Sequence, residues 1–106
     1  MASSKEYRDY VLGQLSEVSD VTCRPMMGEF LLYSNDVLFG GIYDDRLLVK
    51  IVPENAQFGM REDIPYDGAK PMYLVEEIDD KEKLAEIIRV TLDGVTRKSY
   101  LLTDRQ

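Results

Sequence analysis

The sequence predicts an α+β fold: a two-layer sandwich in which an antiparallel meander carries N- and C-terminal helices packed on one face. Three observations predict it. Arg24 to Val52 holds three apolar segments, Phe30 to Tyr33, Val37 to Tyr43 and Arg46 to Val52. They are separated by Ser34-Asn35-Asp36 and by Asp44-Asp45, and Asn and Asp bond their own backbone and tolerate the left-handed conformation of a tight hairpin. Stretches with helical periodicity flank this region on both sides.

The first element is a helix. Ser3 stands three residues before Glu6, the spacing of a capping box. Tyr7, Val11, Leu15 and Val18 then share one face, while Arg8, Asp9, Gln14 and Glu17 face water. Gly13 costs about 1 kcal/mol against Ala and marks either a close approach to the sheet or nothing. Ser19-Asp20 ends the helix, and Val21 to Met27 reads as an extended segment in which Pro25 suits an edge or a bulge. Gly28 turns the chain. In the third apolar segment Leu47, Val49 and Ile51 share one face while Leu48, Lys50 and Val52 share the other. Both faces of the sheet therefore carry large side chains, and the less protected one is a candidate for self-association.

Pro53 stops this strand and opens a short helix, Glu54 to Met60, with Glu54 at its positive end. From Arg61 to Lys70 the composition turns to charged and turn residues, which predicts the longest loop, and loops of that kind collect function. Pro71 to Glu76 resumes as a short strand. Asp79 precedes Glu82 by three, again a capping spacing, and Leu84, Ile87, Ile88, Thr91, Leu92 and Val95 follow on one helical face. Gly94 is a weak point late in this helix, Arg97-Lys98 caps its negative end, and the apolar Tyr100-Leu101-Leu102 docks on the domain or on a partner.

A chain of 106 residues suits a single domain, residues 1–106, large enough to bury a core without staples. Thirteen Lys and Arg against twenty Asp and Glu leave a formal charge of −7, which repels a phosphate backbone and an anionic membrane. Direct nucleic-acid binding and membrane association are not expected. One cysteine, Cys23, makes no internal disulfide, and the charged start leaves no apolar signal core, so the expected compartment is the cytoplasm.

No catalytic constellation emerges. The sequence has no His, which removes the commonest general base and metal ligand. Glu76, Glu77, Asp79 and Asp80 lack the regular offsets and Gly turn of a metal loop and read as a strand-to-helix corner. Cys23 beside Arg24 has neither a base nor a resolving thiol and reads as a half-buried strand residue. Gly40-Gly41 follows no strand-to-helix transition, so a bulge or close backbone packing under a helix is expected there instead of a phosphate cradle. Catalytic, cofactor and metal residues are therefore all read as none. Tyr33, Tyr43, Tyr66 and Tyr73 are the aromatics best placed for a partner interface.

The order and spacing of Arg24-Pro25-Met26-Met27-Gly28-Glu29, then Val37-Leu38-Phe39-Gly40-Gly41-Ile42, then Asp45-Arg46-Leu47-Leu48-Val49-Lys50 is similar to the N-terminal domain of the TfoX/Sxy family. Met27 stands where the family usually has an aromatic, and Glu29 where it often has a second Gly. Family members tied to natural competence look like two-domain proteins with a second, helical domain, whereas this sequence ends at Gln106. The resemblance implies a two-layer fold of the secretion-chaperone-like type, a link to regulation of DNA-uptake genes, and no enzyme. Arg24, Met26, Gly28, Gly41 and Lys50 match the family pattern without a biochemical role attached, Arg24 and Lys50 being equally readable as ion-pair partners. The expected function is a non-enzymatic interaction module with a protein partner or a second copy. The alternative is a small-molecule-binding protein or minor enzyme using the 61–70 loop.

Overall fold

The meander is built from three tight hairpins of the same kind. The computed structural model describes residues 3–104, with side chains as far as Arg97. In it β1 (Val21–Met26), β2 (Glu29–Ser34) and β3 (Val37–Ile42) are joined in turn by two-residue loops, and β4 (Leu47–Val49) follows β3 through Tyr43 and Arg46, whose backbones exchange hydrogen bonds around Asp44-Asp45. Met27-Gly28, Asn35-Asp36 and Asp44-Asp45 all have positive φ, the geometry of a type I′ turn, whose twist matches that of the flanking strands. Two of these turns have the Asn and Asp chemistry that predicts them. The third places Met27 at φ 52° with 98% of its surface exposed.

Six strands form one antiparallel sheet in the order β1-β2-β3-β4-β6-β5, completed by β5 (Arg61–Asp63) and β6 (Met72–Val75). β5 corrects the expectation of an unbroken loop from Arg61 to Lys70: the first three of those residues pair with β6, Arg61 opposite Leu74 and Asp63 opposite Met72. Its charged Arg-Glu-Asp sequence hides a strand because an edge strand is protected by charge. The irregular part of the segment is 64–71. β1, the opposite edge, accommodates Pro25 as expected.

Helices α1 (Lys5–Gln14) and α2 (Lys81–Asp104) cover one face of the sheet. Val11 and Leu15 from α1 and Leu84, Ile87 and Ile88 from α2 meet Phe30, Leu32, Phe39, Ile42, Leu47, Val49 and Val75, and this is the core. The sheet bulges at Phe39, which lies between the pairs Leu32–Gly40 and Tyr33–Leu38 and has no opposite number on β2. The extra residue turns its ring into the core, where it is inaccessible.

Both helix starts fall one residue later than the sequence suggests. Ser4, not Ser3, accepts the Tyr7 N–H of α1 at 3.1 Å, and Asp80, not Asp79, accepts the Lys83 N–H of α2 at 3.1 Å. The displaced residues serve elsewhere. Ser3 is buried and donates its N–H and hydroxyl to Glu29 at 2.9 and 2.7 Å, while Asp79 accepts from the Tyr10 hydroxyl. Glu29 also accepts the Asp44 N–H at 3.0 Å, so one carboxylate ties the N-terminus and the β1–β2 and β3–β4 turns together.

The predicted short helix is a 3₁₀ helix, Pro53–Phe58, ended by Gly59 at φ 65°. It is held to α2 at three points. Asn55, fully buried, accepts from Val52 N–H and donates to the Lys50 carbonyl and to Thr91 Oγ1. Gly94 approaches so closely that a Cβ there would lie 2.5 Å from Val52 Cγ2, so it is a contact point rather than a weak one. Because α2 continues to Asp104, Arg97 lies mid-helix and pairs with Glu54 instead of capping an end. Val52 thus leaves the alternation of the preceding strand and turns towards α2. Gly13 has nothing within 4 Å of its would-be Cβ, so it marks no close approach. The docking expected of Tyr100-Leu101-Leu102 lies outside the described side chains.

Candidate functional site: a cleft on the second sheet face

Alternation places Leu31, Tyr33, Leu38, Gly41, Leu48 and Lys50 on the face turned away from the helices. Leu48 there is 0% exposed although it lies outside the helix-side core. The segment 64–71 provides cover on this side. Arg46 holds it down: its Nη1 and Nη2 donate to the Ile64 and Pro65 carbonyls at 3.1 and 3.2 Å, and Nη1 pairs with Asp63 at 2.9 Å. The guanidinium fork matches this arrangement because it offers several N–H groups in one plane. Hydrogen bonding to Arg46 first, then to the Ile64 N–H, holds the Asp63 carboxyl below its usual range.

Between sheet and segment lies a cleft of about 670 Å³. The sheet and its connections contribute Leu38, Gly40, Tyr43, Lys50, Ile51 and Met72 to its lining, and the segment contributes Pro65, Tyr66, Ala69, Lys70 and Pro71. Two glycines shape it. A Cβ on Gly40 would lie 2.2 Å from the Leu48 carbonyl oxygen, so only glycine lets the bulged strand sit against the backbone of β4. A Cβ on Gly41 would meet the Phe30 carbonyl oxygen at 2.6 Å and the Tyr43 ring at 2.7 Å, so glycine there leaves room for that ring against the strand. The bulge falls one residue before this pair, at Phe39, and the close packing of the glycines is against the backbones of β2 and β4 and the Tyr43 ring, not under a helix. Tyr66 tilts onto Tyr43 with ring centroids 6.1 Å apart, which brings together two of the four tyrosines singled out in the sequence. Burial, followed by the neighbouring Tyr66, Glu29 and Tyr33, pushes the Tyr43 hydroxyl above its ordinary pKa, so it is neutral at physiological pH.

Of the five family-pattern residues, Lys50 alone lines the cleft, and Gly41 shapes it through Tyr43. Arg24 is exposed on β1 with its guanidinium 5.1 Å from the centre of the Tyr33 ring. Met26 closes β1 opposite Glu29, and Gly28, at φ 86°, offers its carbonyl to the Ser3 N–H. Neither Arg24 nor Lys50 takes part in an ion pair among the described residues. Cys23 is half-buried; burial raises its thiol pKa, outweighing the positive charge of Arg8. Among the described residues no three His, Cys, Asp or Glu side chains gather to hold a metal ion, and no helix is long and apolar enough to cross a membrane. Sequence reasoning located the segment that roofs the cleft but did not single out Lys70, because only the tertiary fold brings it to the same cleft as Lys50.

Residues 13–95 match the TfoX N-terminal domain, and the chain belongs to that family. It is also 28% identical over 94 residues to the uncharacterized 12.7 kDa protein in the trpE 5′ region of Spirochaeta aurantia, a match covering 86% of this chain and 82% of that one.

Proposed function

We propose that the chain is a non-enzymatic regulatory module of the cytoplasm that acts by binding another protein, or a second copy of itself, at the rim of the loop-roofed cleft. Membership of the TfoX N-terminal family supports a competence- or regulatory-type role. The observation that carries the choice of surface is the placing of exposed apolar side chains: Ile51, Ile64 and Tyr66 are among the most exposed large apolar residues, and all three stand on or beside this segment. Light scattering at micromolar concentration, with chemical crosslinking, tests the reading. It expects a mass above the 12.2 kDa of one chain, or retention of a specific partner, lost in Ile51→Asp/Tyr66→Asp. A strict monomer that retains no partner counts against it.

The cleft itself favours a second reading, that a small molecule is bound beneath segment 64–71. A thermal-shift screen with metabolites tests it, since a ligand at one hundred times its dissociation constant stabilises by about 2.7 kcal/mol. Absence of any shift removes it.

A further inference from the structure

We propose that the cleft binds a small organic anion, a carboxylate or phosphate monoester carried on an apolar body. The inference rests on the small-molecule reading above and adds the chemistry of the ligand. The cleft's volume of about 670 Å³ is that of a small-molecule site. Its lining is unusual for so acidic a chain. Lys50 and Lys70 both line it, and among the described residues no Asp or Glu does, although the chain carries a formal charge of −7. The four ion pairs among the described residues use Arg8, Arg46, Arg61 and Arg97, so both lysines stand without a carboxylate partner.

Two uncompensated cations in a partly apolar recess create a local positive potential inside a negative surface. A neutral occupant would leave those charges unmatched while removing water from them, which is costly. A metal ion would find no carboxylate. An anion seated between them would satisfy both at once and bridge the end of β4 to segment 64–71. Leu38, Met72 and the rings of Tyr43 and Tyr66 then offer apolar contact to the remainder of the ligand.

The surroundings also set the ligand's length. A second depression, which shares Pro65 and Tyr66 with the cleft, carries the carboxylates of Glu29, Asp44 and Asp67, and its one cation, Arg46, is already engaged by Asp63 and by the Ile64 and Pro65 carbonyls. A polyanion extending past the cleft in that direction would run into carboxylates, so the site suits a compact anion and not a nucleic-acid strand.

The test is an amide NMR titration of the full chain with four probes: phenyl phosphate, benzoate, inorganic phosphate and benzyl alcohol. Saturable shifts at Gly40, Lys50, Ala69 and Lys70 are expected from phenyl phosphate or benzoate, and which of the two binds tighter assigns the headgroup. Binding of inorganic phosphate or benzyl alcohol should be weaker by about tenfold or more, as should binding of the better probe to Lys50→Met/Lys70→Met. Lys70→Met alone, in an exposed loop position, carries the comparison if the double variant does not fold. Benzyl alcohol binding as tightly as the anions, or lysine variants binding them undiminished, overturns the anion site and leaves the small-molecule reading standing. Equal binding of inorganic phosphate overturns the apolar body. No shift at these amides from any probe at millimolar concentration overturns both readings.

Discussion

Glu29 shows how much one side chain can organise. It accepts three hydrogen bonds, from the Ser3 N–H, the Ser3 hydroxyl and the Asp44 N–H, in a position where the sequence pattern of relatives often has glycine. Glu29→Ala strands those donors, Ser3 being buried, and should cost about 1–3 kcal/mol in urea unfolding. Met27 is the opposite case. It occupies the first position of a type I′ turn before Gly28 and is almost wholly exposed, so Met27→Asn creates the preferred Asn-Gly turn without losing a contact. The expected gain is up to about 1 kcal/mol, because Asn tolerates the left-handed region that is costly for Met. Two helical glycines separate in the same way. Gly13→Ala meets open space and should stabilise by up to about 1 kcal/mol. Gly94→Ala meets Val52 and should destabilise by about 1–3 kcal/mol despite better helix propensity. The helix starts were legible in the sequence to within one residue, and the residual error has a cause: Ser3-Ser4 and Asp79-Asp80 are adjacent residues equally able to cap. The choice between them is made by Glu29 and Tyr10, which lie 26 and 69 positions away.

At the scale of elements, the three hairpins and the two helices were legible because turn chemistry and periodicity are local properties. The pairing of β5 with β6 was not, since Arg61-Glu62-Asp63 has no apolar face to betray a strand. Nor was the seating of α2 on the 3₁₀ helix, which depends on the Asn55, Gly94 and Arg97 contacts rather than on periodicity. The cleft was legible only in part: the segment that roofs it was recognised as a functional loop, but the meeting of Lys50 and Lys70 in one cleft is a product of the tertiary fold. The element on which the site depends is segment 64–71, and Arg46 is its tether. Arg46→Met removes the two hydrogen bonds and the pairing with Asp63 but keeps the aliphatic stem. Hydrogen exchange should accelerate by about tenfold, equivalent to about 1.4 kcal/mol, in 64–71, with β1–β3 nearly unchanged. Uniform acceleration across the sheet would show that Arg46 supports the whole fold and not the segment.

For the molecule as a whole, pH acts at both ends of the range. Glu54, through its hydrogen bonds from Arg97, and Asp63, through those from Arg46, have folded pKa values lowered from their ordinary carboxylate values. Their stabilisation is therefore complete above the unfolded value and disappears as pH falls through the lower folded one. Tyr10, through its hydrogen bond to Asp79, and Tyr43, through burial, are raised above about 10. Their contribution is present below the unfolded value and is lost as pH rises through the folded one. Urea midpoints measured against pH should thus fall at both extremes, and Glu54→Gln/Asp63→Asn should flatten only the acid side. What unites these features is a sheet covered by helices on one face and by segment 64–71 on the other, the arrangement on which both functional readings depend. The most direct measurement of it is the nuclear Overhauser contact between the Tyr43 and Tyr66 rings, 23 residues apart in sequence and 6.1 Å apart by centroid. Cross-peaks between the two rings, with the Gly41 α-protons shifted by the Tyr43 ring above them, are the predicted result. Rings without mutual contact, and Gly41 at its unstructured shift, would mean that the segment does not close over the sheet.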